Sequence, residues 1–214
     1  TLTGGDGDGY DMASYVTSTA GVSASLLTGT ASDGFGATDT FTLGGDGSSS
    51  IEDLRGSDHD DILIGDARAN YLRGGSGKDV LDGGTGHDLL EGESGDDVLK
   101  DSGGDDVLDG GFGSDTVSFE SAAAGVTVDL TNLDYQDTVG AGKDFLKSIE
   151  NLTGSAFNDT LTGDSGDNVL IGGGGADTLI GGLGADTLIG GAGADTIYGH
   201  FVDNTDKAAD ADVD

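Results

Sequence analysis

The chain has 214 residues, room for one large domain or two small ones. It carries 41 acids against 8 Lys and Arg, a net charge of −33 that argues against nucleic acid and anionic membranes as partners, since both select clustered basic residues. No apolar run is long enough to cross a bilayer, and the absence of Cys removes disulfides, thiolate metal sites and Cys nucleophiles.

Asp supplies 36 of the acids and Gly 43 of all residues. Solubility alone gives no reason to prefer Asp to Glu so strongly. Either the chain is acidic and disordered, or something outside the sequence neutralises the acid and lets it fold.

Residues 1–55 open with Asp6-Gly-Asp-Gly-Tyr-Asp11, turn chemistry with the look of a repeat tail. Together with the Thr at position 1, this predicts that the repeats begin upstream. A spacer follows. From Gly56 the chain falls into windows of nine, starting at Gly56, Gly65, Gly74, Gly83, Gly92, Asp101 and Gly110 without a slip. Residues 119–150 form a second spacer, in which Val126-Thr-Val-Asp-Leu130 alternates like a strand. Ser14–Val16 and Ser118–Phe119 are the strands expected to pair with it, and Phe119, Phe145 and Ile149 are expected to cap open ends of the core. Windows resume at Gly154, Gly163, Gly172, Gly181 and Gly190 within a second repeat block, 151–200. Residues 201–214 read as an acidic, frayed tail.

A longer period is superposed. Asp11–Tyr15, Ala20–Val22, Ser50–Glu52 and Leu54–Ser57 match Asp115–Phe119, Ala124–Val126, Ser148–Glu150 and Leu152–Ser155. The chain is thus about two copies of one module, each a turn and strand, a spacer and a repeat block.

Within each window, six Gly-rich residues ending in Asp are followed by three strand-forming ones. Position eight is aliphatic in all twelve windows: Leu63, Leu72, Leu81, Leu90, Leu99, Leu108, Val117, Leu161, Leu170, Leu179, Leu188 and Ile197. Side chains alternate along a strand, so position eight points inward while seven and nine point out. One turn and one short strand bury nothing alone; stacking turns them into a continuous interior ladder.

Windows such as GGSGKDVLD, GGTGHDLLE and GGGGADTLI resemble the RTX, or haemolysin-type, calcium-binding nonapeptide GGxGxDxUx, with U a large apolar residue. The resemblance implies an all-β fold, a parallel β-roll (a β-solenoid), here two rolls (56–118 and 151–200) joined by a β-rich spacer. It also implies Ca²⁺ held between turns by the position-six side chain and turn carbonyls. The implied position-six ligands are Asp61, Asn70, Asp79, Asp88, Asp97, Asp106, Asp115, Asp159, Asn168, Asp177, Asp186 and Asp195. The implied carbonyl turns are those of Gly74, Gly75 and Gly77; Gly83, Gly84 and Gly86; Gly172, Gly173 and Gly175; Gly181, Gly182 and Gly184; and Gly190, Gly191 and Gly193. Turns on one edge recur every 18 residues, which pairs Asp61 with Asp79, Asp79 with Asp97, and so on, for about eight sites; Asp186 with Asn204 would be a ninth. Eight Ca²⁺ would bring −33 to −17. Windows 65 (GDARAN), 101 (DSGGDD) and 154 (GSAFND) depart from the pattern, and weak or empty sites are expected there.

The chemistry suits the residues. Ca²⁺ takes about six to eight oxygens; Asp offers one on a short stem and Gly leaves carbonyls unobstructed. The EF-hand pattern is missing, and His59, His87 and His200 form no metalloprotease motif. No nucleophile elbow occurs, so no enzyme activity is expected in this chain. The family resemblance implies a secreted or cell-surface bacterial protein, exported unfolded by type I secretion and folding on external Ca²⁺, in a structural or adhesive role. The alternative is the C-terminal repeat region of a secreted protease, lipase or polysaccharide epimerase with its catalytic domain upstream. Calcium is the expected partner, without membrane insertion; self-association or a surface polysaccharide are the others.

Overall fold

The structure, a computed structural model, describes residues 11–32, 38–42 and 51–200. The expectations placed on Asp6–Tyr10, on Asn204 and on the tail lie outside them. The described residues contain no helix. Their strands are β1 (Met12–Ser14), β2 (Ser23–Ser25), β3 (Thr30–Ser32), β4 (Thr38–Thr40), β5 (Asp53–Arg55), β6 (Ile62–Asp66) and β7 (Tyr71–Ser76). Next come β8 (Val80–Gly84), β9 (Leu89–Ser94), β10 (Val98–Lys100), β11 (Val107–Phe112), β12 (Thr116–Ser118), β13 (Thr127–Asp129) and β14 (Gln136–Asp137). The last are β15 (Lys143–Lys147), β16 (Asn151–Thr153), β17 (Thr160–Thr162), β18 (Val169–Gly174), β19 (Thr178–Gly182), β20 (Thr187–Ala192) and β21 (Thr196–His200).

Each nonapeptide contributes one strand, and successive strands fall on alternate faces of a flattened coil. Strands 18 residues apart therefore pair in parallel, as Leu81 with Leu99 and Leu72 with Leu90 do. One face is a single sheet, β20-β18-β16-β12-β10-β8-β6-β2-β3-β4. It runs unbroken through both repeat blocks, because Val117 is paired directly with Leu152 across the whole spacer. The opposite face is split into β1-β5-β7-β9-β11-β15-β14 and β13-β17-β19-β21.

The position-eight side chains form the core. From Leu63 to Val117 they are 0–1% exposed, as are Leu161, Leu170 and Leu179; Leu188 is buried, and Ile197, at the last turn, partly so. Leu54, Leu146 and Leu152 extend the ladder from outside the windows. Full burial of one such side chain stabilises by about 1.5–3 kcal/mol.

The spacers depart from expectation. The Val126–Leu130 segment pairs with neither Ser14–Val16 nor Ser118–Phe119; β1 pairs with β5. Strand β13 instead pairs in parallel with β17, and β12 with β10 and β16. Phe119 and Ile149 are buried in the core beside the spacer, where the split face divides, while on the other face the ladder runs on from Val117 to Leu152. The spacer adds β13, β14 and β15 to the split face. β15 pairs in parallel with β11 and antiparallel with β14. Between β14 and β13 the Gln136 side chain replaces part of a ladder. Its Oε1 accepts the Asp129 N–H at 2.8 Å and its Nε2 donates to the Asp129 carbonyl at 3.3 Å.

The two modules repeat these contacts. Asp11 and Asp115 N–H groups donate to Glu52 and Glu150 carboxylates. Val22 and Val126 N–H groups donate to Asp61 and Asp159.

Candidate metal centres

The position-six residues stand in columns. The backbone N–H of one donates to Oδ1 of the residue one coil on: Asp61 to Asp79, Asp79 to Asp97 and Asp97 to Asp115, each at 2.8 Å. On the other edge Asn70 donates to Asp88 and Asp88 to Asp106, at 2.9 and 2.8 Å. In the second block the bonds run Asp159 to Asp177, Asn168 to Asp186 and Asp177 to Asp195. The 18-residue pairing read from the sequence is thus the geometry of the coil. One oxygen of each accepting carboxylate is used to hold the preceding turn in register.

The other oxygen has no donor. Oδ2 of Asp79, Asp88, Asp97, Asp115 and Asp177 is buried without a hydrogen-bond partner. Each lies in a cradle that a Cβ would fill. A methyl added to Gly74 would meet Asp79 Oδ2 and come within 2.8 Å of the Gly92 carbonyl, and one on Gly92 would meet Asp97 Oδ2 and the Gly110 carbonyl at 2.6 Å. Gly at position one therefore clears a space that a carboxylate and a carbonyl of the next turn both face. Positions two and four turn the backbone back toward the preceding coil at positive φ, as Gly75 (124°) and Gly77 (128°) do. Leaving a buried polar atom unpaired costs about 1–3 kcal/mol. Repeated down a column, such a cost would be relieved by a bound cation, and the all-oxygen donor set fits a hard one.

The first turns of each block are built otherwise. Asp61 accepts the Ser57 N–H on Oδ2 at 2.5 Å, and the Ser57 hydroxyl and Val22 N–H on Oδ1 at 2.9 and 2.6 Å. Asp159 repeats this with Ser155 and Val126. Asn70 accepts from Asp66 N–H and donates to the Glu52 carbonyl; Asn168 does the same with Asp164 and Glu150. In window 65 a built-in cation is present, with Arg68 ion-paired to Glu52 and Asp66. These four positions are satisfied by the protein itself, and no orphan oxygen occurs at them. Asp186 and Asp195, in the last turns, are half-exposed.

Burial raises the carboxyl groups of the columns, and neighbouring carboxylates add to it. Asp79 and Asp88 are pushed up to about 7, and Asp106 and Asp115 to about 6, although the N–H bond each accepts works the other way. Asp97 and Asp177 are raised by the same burial.

Window 101 differs most. Asp101 stands where Gly opens the other windows, and burial with the facing Asp144 and Asp106 charges pushes its carboxyl up to about 8. Asp144, from β15, takes the next position-six place above Asp106, accepting its N–H at 2.9 Å. Neither Asp101 nor Asp144 is marked by the repeat. The one signal in the sequence is an Asp in the Gly column.

The chain matches the sequence profile of the RTX calcium-binding nonapeptide repeat four times, over residues 55–90, 82–117, 148–179 and 171–205. A comparison with curated protein sequences finds no match. The profile covers more than half the chain and coincides with the columns of paired Asp, and the chain belongs to the RTX calcium-binding repeat family.

Proposed function

We propose that this chain is a calcium-assembled module of a secreted or cell-surface bacterial protein, with a structural or adhesive rather than a catalytic role. The reading is carried by the unpartnered, buried Oδ2 atoms of Asp79, Asp88, Asp97, Asp115 and Asp177. These residues, with the carbonyls of the Gly-rich turns beside them, would hold the ions. Asp186 and Asp195 would do so in the more open last turns. Asp61, Asn70, Asp159 and Asn168 serve instead as hydrogen-bonded starts of their columns.

Bound Ca²⁺ would supply the positive charge and the oxygen-seeking coordination that the columns lack. Meanwhile Oδ1 of each column Asp fixes the preceding turn through that turn's N–H, and Leu packing closes the coil. Without metal the stacked carboxylates repel, and a net charge of −33 favours an open chain. Scarce cytosolic Ca²⁺ would leave the chain unfolded for export, and abundant external Ca²⁺ would fold it. Repeat blocks 56–118 and 151–200 would be the calcium-bearing parts, and the spacers their connectors. Circular dichroism in EGTA, followed by Ca²⁺ addition, tests this. The β signal should be lost in chelator and return cooperatively; a full β signal in EGTA refutes the proposal.

A further inference from the structure

Among the described residues, three acidic side chains converge closely at one place, where window 101 departs from the GGxGxD turn. Asp101, Asp106 and Asp144 bring carboxylate oxygens within 4.8 Å of one another, all three buried. Asp101 follows β10, Asp106 closes the same turn, and Asp144 lies on β15, brought in from the spacer.

The bonds these groups make do not use every carboxylate oxygen. Asp106 Oδ1 accepts the Asp88 N–H. Asp144 Oδ1 accepts the Asp106 N–H and its Oδ2 the Thr138 hydroxyl, at 2.9 and 2.5 Å. Asp101 Oδ1 accepts the Gly103 N–H at 3.0 Å, while its Oδ2, on a side chain with 0% exposure, has no partner. None of the three forms an ion pair with Lys or Arg among the described residues.

The position of Asp101 makes this more than a chance cluster. At position one of the other windows a Cβ would run into the position-six side chain, as at Gly74, Gly83, Gly92 and Gly110. Here a whole carboxylate is accommodated. The turn passes through Gly103 and Gly104 at φ of 116° and 151°, and its next coil is the spacer rather than another nonapeptide. The turn is rebuilt around an extra acid.

We propose that Asp101, Asp106 and Asp144 form a divalent-cation site of their own, which clamps spacer strand β15 onto the last turns of the first roll. The donors are all carboxylate oxygens, with no nitrogen or sulfur, which selects a hard cation such as Ca²⁺. Three carboxylates at one point exceed the single position-six carboxylate that each regular turn supplies, so this site holds its ion more tightly. The departure of window 101 from the repeat is then a gain of ligands. The proposal adds Asp101 and Asp144, two donors the repeat does not supply, to the position-six Asp106, and it does not rest on the other repeat turns being filled.

The test is a calorimetric Ca²⁺ titration of the full chain, wild type against Asp101→Asn, Asp144→Asn and their double variant, with Asp177→Asn as comparison. Asp101→Asn and Asp144→Asn should each weaken the same single ion about tenfold or more, the charge count being what tunes such sites. The double variant should lose no further ion. Circular dichroism at saturating Ca²⁺ reports folding, and either single variant suffices if the other does not fold. If both Asn variants keep the wild-type ion count and affinities while Asp177→Asn loses an ion, the three carboxyls merely share protons and the clamp is refuted, with the repeat sites intact. A wild type that binds no Ca²⁺ overturns the clamp and the calcium-assembled module together.

Discussion

Truncating Leu99 to alanine tests whether the interior ladder, rather than the turns, holds the coil closed. Leu99 is fully buried and paired in register with Leu81 on one side and Val117 on the other. Those neighbours are fixed by parallel ladders at roughly 4.8 Å spacing, so they cannot slide together to fill the gap. The loss should therefore fall in the upper part of the ~2–5 kcal/mol range for such truncations, about 3–4 kcal/mol. Val98, next to it, is half-buried on the outer side of β10, and Val98→Ala should cost no more than about 1 kcal/mol. Folding is read by circular dichroism during a Ca²⁺ titration. If about four ions enter in one cooperative transition, ~3.5 kcal/mol spread over them raises the midpoint about four- to fivefold. The number of ions bound at saturation should not change, since no ligand is touched. A Val98→Ala shift as large as that of Leu99→Ala, or a lower ion count in Leu99→Ala, refutes the assignment of strand faces.

Three further outcomes follow from the turns. Gly74→Ala places a methyl against Asp79 Oδ2 and the Gly92 carbonyl, whereas Gly174→Ala meets nothing closer than 3.7 Å; calorimetry should show fewer ions bound by the first and the wild-type count for the second. Ser155→Ala removes the hydroxyl bond to Asp159 and should cost about 1–2 kcal/mol in chemical denaturation at fixed Ca²⁺ without changing the ion count; a lost ion would mean that Asp159 is a ligand after all. In EGTA, the column carboxyls raised to about 6–7 make the folded state hold protons that the unfolded chain, near its ordinary ~4, has released. Metal-free stability is thus greatest at acid pH and is lost as pH rises through about 6–7. The β signal of the chelated chain should therefore grow on acidification from pH 8 to about 5, and growth in the opposite direction contradicts the burial of these groups.

What the sequence showed and what it hid divide along sequence separation. The columns of Asp79, Asp97 and Asp115 and the ladder of Leu81 and Leu99 were legible because a fixed period of 18 residues puts identical chemistry side by side. Asp144 was not, because it reaches Asp106 across 38 residues of a spacer with no period to count. Glu150 takes the place above Asp115 in the same way, 35 residues on. The periodic windows likewise stop at Ser118, but the strand that continues the ladder, β16, arrives only after the spacer. Asp61 and Asp159 matched the motif, yet their partners Ser57 and Ser155 satisfy both oxygens. The only trace in the sequence was the Gly-Ser pair recurring at the same place in both modules.

The asymmetry between the two faces at the spacer has a mechanical consequence. On one side the peptide ladder from β12 to β16 is continuous, and on the other the sheet is divided between β14 and β13. There the join consists of the Gln136 amide and a 3.2 Å bond from the Thr127 N–H to the Thr138 carbonyl. An unbroken ladder resists stretching, whereas a few bonds, some through a side chain, part more readily. The spacer therefore makes a hinge, with the β12–β16 side as its strap and the Gln136 side as its opening edge. A load on the rod would flex it in one direction, away from the strap. The module's duplication puts a comparable insertion near the start of the chain, where β2, β3 and β4 extend a single sheet. An array of such modules would bend at intervals of about a hundred residues rather than behave as one stiff rod, each bend having its own preferred direction.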